Sequence, residues 1–116
     1  MLKKCLPLNK ILQMIELIKK IFAKTPKTDF KALISDGAII VDVRSKSEFG
    51  SGHIKNSVNI PLNKLPNQLK KLKSERTIIT CCASGARSAS AKNILKSKGF
   101  TVYNGGSWSS LKKYFQ

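Results

Sequence analysis

Two adjacent cysteines, Cys81 and Cys82, stand where an apolar run gives way to a string of very small residues. The run Thr77-Ile78-Ile79-Thr80-Cys81 has the β-branched content of a buried strand. Downstream, Ala89-Ser90-Ala91-Lys92-Asn93-Ile94-Leu95-Lys96 has the small and long unbranched residues of a helix that stops near Gly99. Between them lies Cys82-Ala83-Ser84-Gly85-Ala86-Arg87-Ser88. Cys82 is therefore expected at the end of a strand, in a tight turn that opens a helix. In an open α/β sheet, ligands bind in the crevice beyond the carboxyl ends of the strands.

Such a turn favours a thiolate. Backbone N–H groups at a helix N-terminus are unpaired and point outward, and the helix dipole adds partial positive charge. Ala83, Ser84, Gly85 and Ala86 carry almost no side chain, so the backbone can curl around the sulfur as an anion nest. Arg87 adds a permanent cation whose planar fork suits an oxyanion. A thiol held there ionises below its free value of about 8.5, and the thiolate is the nucleophile. The plainer alternative makes Cys82 a small core residue beside an ordinary helix start. The run of tiny residues and the closing arginine have no common packing purpose, which argues against it.

The elements that must position this loop follow from the rest of the chain. Its 116 residues make one domain with room for a real core. The net charge is +16, yet 19 of the 22 cations are lysines scattered along the whole chain. The arginines are Arg44, Arg76 and Arg87, and none alternates with aromatics as on a single-strand binding face. The excess reads as a solvated surface that attracts small anions, with no nucleic-acid partner. Three cysteines, two of them adjacent, make no disulfide framework and no zinc-type CxxC pair. A reducing compartment fits this usage, so a cytoplasmic location is expected. The single histidine, His53, cannot build a metal site without carboxylates, which are few, and no metal or cofactor is expected.

Residues 1–24 place Leu8, Ile11, Leu12, Ile15, Ile18 and Phe22 on one helical face, among lysines. This basic amphipathic helix is too charged for a secretory segment and too short to span a bilayer. Packing on the domain or on a partner is its expected role, with membrane-surface contact by residues 8–22 as the alternative. Thr28 then caps a short helix from Asp29 to Ile34, ended by Asp36-Gly37. Residues 38–44 form a buried parallel-type strand, whose Asp42 and Arg44 fall on one side and pair to orient loops. Ser45 to Phe49 is a capped helical turn, and residues 57–62 a short strand before a proline stop. His53 has the residue type of a general base, but a hydrogen-bonded structural role is expected. Asn63 caps a helix from Lys64 to Lys73 with Leu65, Leu69 and Leu72 inward. Residues 99–104 form a last strand, Gly105-Gly106 a sharp turn, and Ser107 starts a closing helix. Trp108 either shields the crevice or is core. Strands alternating with helices imply a mainly parallel sheet covered on both faces.

The chain resembles the single-domain rhodaneses, the rhodanese-like sulfurtransferases. The resemblance rests on Asp42-Val43-Arg44, Glu48-Phe49 with Gly52-His53-Ile54, and Asn59-Ile60-Pro61-Leu62. It continues through Cys82 to Ser88, Gly99-Phe100, and Gly105-Gly106 before Trp108, covering residues 28–116. It implies a three-layer α/β domain, with a mainly parallel five-stranded sheet flanked by helices on both faces. It also implies that Cys82 takes sulfane sulfur from thiosulfate or another small anionic donor, holds it as a persulfide, and passes it to a thiol or protein acceptor. Residue by residue, Cys82 is the implied nucleophile, the amides of Ala83, Ser84, Gly85, Ala86 and Arg87 the cradle, and Arg87 a donor-binding group. Two alternatives stay open here. Counted from Cys81, the stretch is Cys81-x5-Arg87-Ser88, the spacing of cysteine phosphatases and related arsenate reductases, although Thr80 stands where those have a histidine. The other is a non-catalytic rhodanese-like module that binds a partner.

Overall fold

The computed structural model describes residues 28–115 and positions 12, 13 and 15. The expected helix over 1–24 therefore lies outside the described residues apart from those three positions. Among the described residues, no helix is long and apolar enough to cross a membrane.

Helix α1 (Phe30–Ser35) is followed by strand β1 (Ile39–Asp42), helix α2 (Lys46–Ser51) and the short strand β2 (Val58–Asn59). Two 3-10 turns then lead to β3 (Ile78–Cys82), α3 (Ala86–Ser97), β4 (Val102–Ser107) and α4 (Trp108–Lys112). The four strands pair in the order β2-β1-β3-β4 and are all parallel. Side chains alternate across a strand, so each central strand feeds two cores. Val41, Ile78, Cys82, Ala91 and Leu95 share one core, on the α3 face. Ile40, Ile79, Cys81 and Leu111 share the other, packed against Phe30, Leu33 and Trp108. The sheet is covered on both faces, as the alternation of elements requires.

The structure corrects the sequence expectations at several places. The sheet has four strands among the described residues, not the five that the resemblance implies. Asp29, rather than Thr28, caps α1, accepting a 3.0 Å bond from the Ala32 N–H. The segment expected as a helix from Lys64 to Lys73 is two 3-10 turns, Leu62–Asn67 and Leu69–Lys71. Pro66 lies inside the first, and a proline there has no N–H to give an α-helical ladder. Leu65 and Leu72 are buried all the same.

Gly105 and Gly106 belong to β4, not to a free turn, and they absorb an irregularity in its pairing with β3. Thr80 pairs with Asn104 but Cys82 with Ser107, so β4 carries one more residue than β3 over this span. Gly105 cannot be enlarged: a Cβ there would sit 2.8 Å from Leu111 Cδ2, 2.9 Å from Ile79 Cγ2 and 2.9 Å from the Thr80 carbonyl. Gly105→Ala is expected to cost about 1–3 kcal/mol through overpacking. Urea denaturation measures this directly, and a loss within about 0.5 kcal/mol of zero, the range of neutral surface changes, would show that β4 yields.

Candidate active site

The end of β3 delivers Cys82 to the amino end of α3 through a turn of three residues. Gly85, the cap of that helix, has φ +103°, a left-handed conformation that a side chain resists. That backbone bend turns two amides onto the sulfur. The Gly85 N–H lies 2.9 Å from Cys82 Sγ and the Ser88 N–H 3.3 Å. The Ser88 hydroxyl is 3.4 Å from the same sulfur. The N–H groups of Ala83, Ala86 and Arg87 make no bond to the Sγ of the free thiol.

Ser88 and Asn104 are the members of the site that sequence reasoning missed. Ser88 Oγ lies 2.7 Å from Asn104 Oδ1 and 3.0 Å from the Gly85 carbonyl. A hydroxyl has one proton, so these acceptors compete with the sulfur for it. Asn104 also takes the Gly106 N–H at 2.9 Å and donates to the Gly85 carbonyl at 3.3 Å. Thus β4 braces the loop. The position of Ser88, six residues beyond Cys82 in the first turn of α3, was a usable signal. Asn104 had none, since it is the pairing of β4 with β3, Asn104 opposite Thr80, that puts it there.

Burial pushes the Cys82 thiol up, but the Ser88 hydroxyl and the N–H groups of Ser88, Gly85 and Ser84 outweigh it, and the net shift is downward. Cys81 behaves oppositely. Burial, then the Asp42 carboxylate, push its thiol up to about 12. The two adjacent cysteines are both fully buried residues, yet one has anion-stabilising donors and the other an anion for a neighbour. An ultraviolet thiolate titration is expected to give one transition below the ordinary thiol value of about 8.5. Cys82→Ser should remove it and Cys81→Ser should leave it. A transition that follows Cys81 would contradict this assignment.

At the mouth, Arg87 Nη1 and Nη2 lie 2.7 and 3.0 Å from the two Glu48 carboxylate oxygens. Both side chains are somewhat more than a third exposed. Glu48 is placed by a capping box, in which Ser45 Oγ accepts from the Glu48 N–H and Glu48 Oε1 accepts from the Ser45 N–H. Arg87, then the Ser45 N–H, hold its carboxyl down at about 2, from an ordinary 4.5. A lowered value means that the pair contributes fully above 4.5 and fades only as pH falls towards 2.

Beneath the rim lies the Asp42–Arg44 pair. Arg44 Nη2 and Nε approach Asp42 Oδ2 at 2.7 and 3.0 Å, and both residues are buried. Arg44 also donates to the carbonyls of Gly52 (2.7 Å) and Glu48 (3.3 Å), so it orients the loop as the sequence suggested. His53 Nδ1 bonds the Phe49 carbonyl at 2.8 Å and the ring stacks on Phe49, a structural role. Trp108 packs in the core on the other face from Cys82 and lies over the Arg44 guanidinium at 4.5 Å.

A cysteine in an amide nest, with no histidine beside it, joins the arrangement of motifs to a family. The sequence pattern of the rhodanese-like domain matches residues 26–112. The chain belongs to the rhodanese-like domain family. It is 32% identical over 84 residues to the thiosulfate sulfurtransferase GlpE of Pseudomonas savastanoi pv. phaseolicola, covering 72% of this chain and 79% of that one. It is 37% identical over 83 residues to the tRNA sulfurtransferase of Thermoplasma acidophilum, again over 72% of this chain, but spans only 16% of that relative's length. Among solved structures, the human single-domain sulfurtransferase TSTD1 superposes with a TM-score of 0.62 at 27% identity, covering 72% of this chain and 90% of TSTD1. The family's expected parallel α/β architecture is present, and its matched members include sulfurtransferases.

Proposed function

We propose that this rhodanese-like chain is a sulfurtransferase of the thiosulfate type working through a persulfide on Cys82. The observation that carries the reading is the pair of N–H groups, from Gly85 and Ser88, aimed at Cys82 Sγ at the end of β3. In the first half-reaction the Cys82 thiolate attacks the outer sulfur of thiosulfate. A new S–S bond forms to Cys82, the donor's S–S bond breaks, and its electron pair leaves with sulfite. In the second, an acceptor such as cyanide or a thiolate attacks the outer sulfur, and the electron pair of the broken bond returns to Cys82. A thiol that ionises easily also leaves easily, so the same nest serves both halves.

Each loop residue then has a role. The bound sulfur extends one bond, about 2 Å, beyond Sγ, towards the amides of Ala83, Ala86 and Arg87 that the thiol leaves unused. The N–H groups of Gly85 and Ser88 hold Sγ itself, and that of Ser84 adds to the stabilisation of its thiolate. Arg87 gives two of its five N–H groups to Glu48 and keeps the others for the sulfonate of the donor. The free, unbridged state of Cys81 and Cys82 suits a reducing compartment such as the cytoplasm. The frame that counts from Cys81 gains no support, because that sulfur lies on the far face of the sheet with its ionisation suppressed.

Steady-state kinetics with thiosulfate and cyanide test this. Thiocyanate should form with a double-displacement pattern, parallel lines in reciprocal plots, and the rate should rise with pH through the Cys82 ionisation. No thiocyanate, or intersecting lines, would count against a sulfur-carrying enzyme form.

A further inference from the structure

Beside the reactive loop, on the Cys82 face of the sheet, runs a trough that thiosulfate alone would leave nearly empty. Its first part, about 510 Å³, is lined by Val43, Lys46, Pro61, Leu62, Lys64 and Arg87, with Ser45 and Asn63. Its second part, about 350 Å³, shares Lys46, Pro61 and Lys64 and continues to Phe49, Gln68 and Lys71. Four cations thus line one channel that begins at Arg87, and no carboxylate among the described residues lines it. The described carboxylates are otherwise engaged or remote. Asp42 is buried on Arg44, Glu48 is held by Arg87, and Asp29 caps α1. Asp36 and Glu75 precede β1 and β3, at the amino ends of the parallel strands, away from the loop.

We infer that the trough receives the sulfur acceptor, and that this acceptor is an acidic, cysteine-bearing segment of a partner protein. The inference rests on the sulfurtransferase reading and gives it a substrate class. Size, charge and lining each contribute. The volume suits a ligand of many atoms. The lysines attract carboxylates over the range of a Debye length. Half-buried Pro61, Leu62 and Phe49 offer apolar contact between the cations. A nucleic acid fits less well, because the described lining residues include a single aromatic ring, Phe49, which stacks on His53 at 3.7 Å and so has a face already covered. In the transfer, the segment's thiol gives its proton to solvent and its thiolate attacks the outer sulfur of the Cys82 persulfide. The S–S bond to Cys82 breaks, its electron pair regenerates the Cys82 thiolate, and the segment leaves as a persulfide.

The full chain and Lys46→Gln/Lys64→Gln/Lys71→Gln separate the possibilities, since all three lysines are exposed and none contacts the sulfur. The probes are a synthetic peptide with one Cys flanked by Glu and Leu, and its Glu→Gln analogue. From thiosulfate-loaded protein at low salt, the Glu peptide should react about tenfold faster in kcat/KM than the Gln peptide, as electrostatic steering permits. The triple variant should lose that preference while its reaction with cyanide stays within about twofold, since the nest is untouched. Equal rates for both peptides in the wild type, or a preference that survives in the triple variant, would overturn the inference. So would a single-stranded oligonucleotide of matched charge that displaces the labelled Glu peptide more strongly than the unlabelled Glu peptide does. If thiosulfate loads no sulfur, the sulfurtransferase reading fails separately. Fluorescence anisotropy of the labelled Glu peptide then reads the trough itself, where loss of binding in the triple variant supports it and unchanged binding overturns it.

Discussion

Cys82→Ser should abolish sulfur transfer, whereas Cys81→Ser should leave it largely intact. The two residues are neighbours in sequence and alike in burial, so composition gives no reason for the difference. Geometry does. Successive side chains of a strand face opposite ways, and only Cys82 faces the turn into α3. Two amides and a hydroxyl lie within 3.4 Å of its sulfur. A serine in its place ionises far less readily and cannot form a persulfide. The expected loss is on the order of 10³-fold or more in kcat, as for removal of a covalent nucleophile. Cys81→Ser trades a buried thiol for a hydroxyl of smaller size beside Asp42, with an expected cost of about 1–2 kcal/mol in stability and little in rate. Equal loss of activity in both variants, with both folded, would mean that the pair works jointly and that Cys82 alone is not the carrier.

Arg44→Met is expected to be the most destabilising single replacement around the site. It leaves Asp42 fully buried beside Cys81 with its charge unmatched. Breaking a buried pair from one side costs about 3–5 kcal/mol, because the remaining charge keeps its desolvation penalty. Arg44 also bonds the carbonyls of Glu48 and Gly52, at both ends of the turn that carries Glu48 to Arg87. Arg87→Met, by contrast, removes a partly exposed pair, and solvent screening keeps the worth of such pairs below about 1 kcal/mol. Urea denaturation of both variants separates the two cases. The double change Arg44→Met/Asp42→Asn should cost less than the sum of its parts, since it removes both charges. A loss below about 1 kcal/mol for Arg44→Met, no more than an exposed pair contributes, would show that Asp42 finds other partners.

Much of this was legible in the sequence. Ile39, Ile40 and Val41, and again Ile78 to Cys82, announce buried parallel strands because both faces of such a strand are apolar. The tiny residues from Ala83 to Ala86 announce a backbone that must approach a ligand closely. Ser45 and Glu48 spell out their capping box directly. What was hidden depends on register and competition between local structures. Pro66 breaks a helix whose leucine spacing looks helical, leaving 3-10 turns that still bury Leu65 and Leu72. Asn104 reaches Ser88 from β4, opposite Thr80, a placement set by strand pairing that no local pattern reveals. The fifth strand is an expectation of the resemblance alone, with no residues of its own among those described. Arg87 reads as a free cation in the sequence, but its partner Glu48 lies 39 residues away, a pairing no local pattern reveals.

The most direct test of persulfide formation on Cys82 is the intact mass of the protein after incubation with thiosulfate and removal of the excess, for the wild type, Cys82→Ser and Cys81→Ser. A gain of one sulfur atom is expected in the wild type and in Cys81→Ser, reversed by cyanide, with no gain in Cys82→Ser. A gain that persists in Cys82→Ser, or no gain in any of the three, would contradict a sulfur carrier at Cys82.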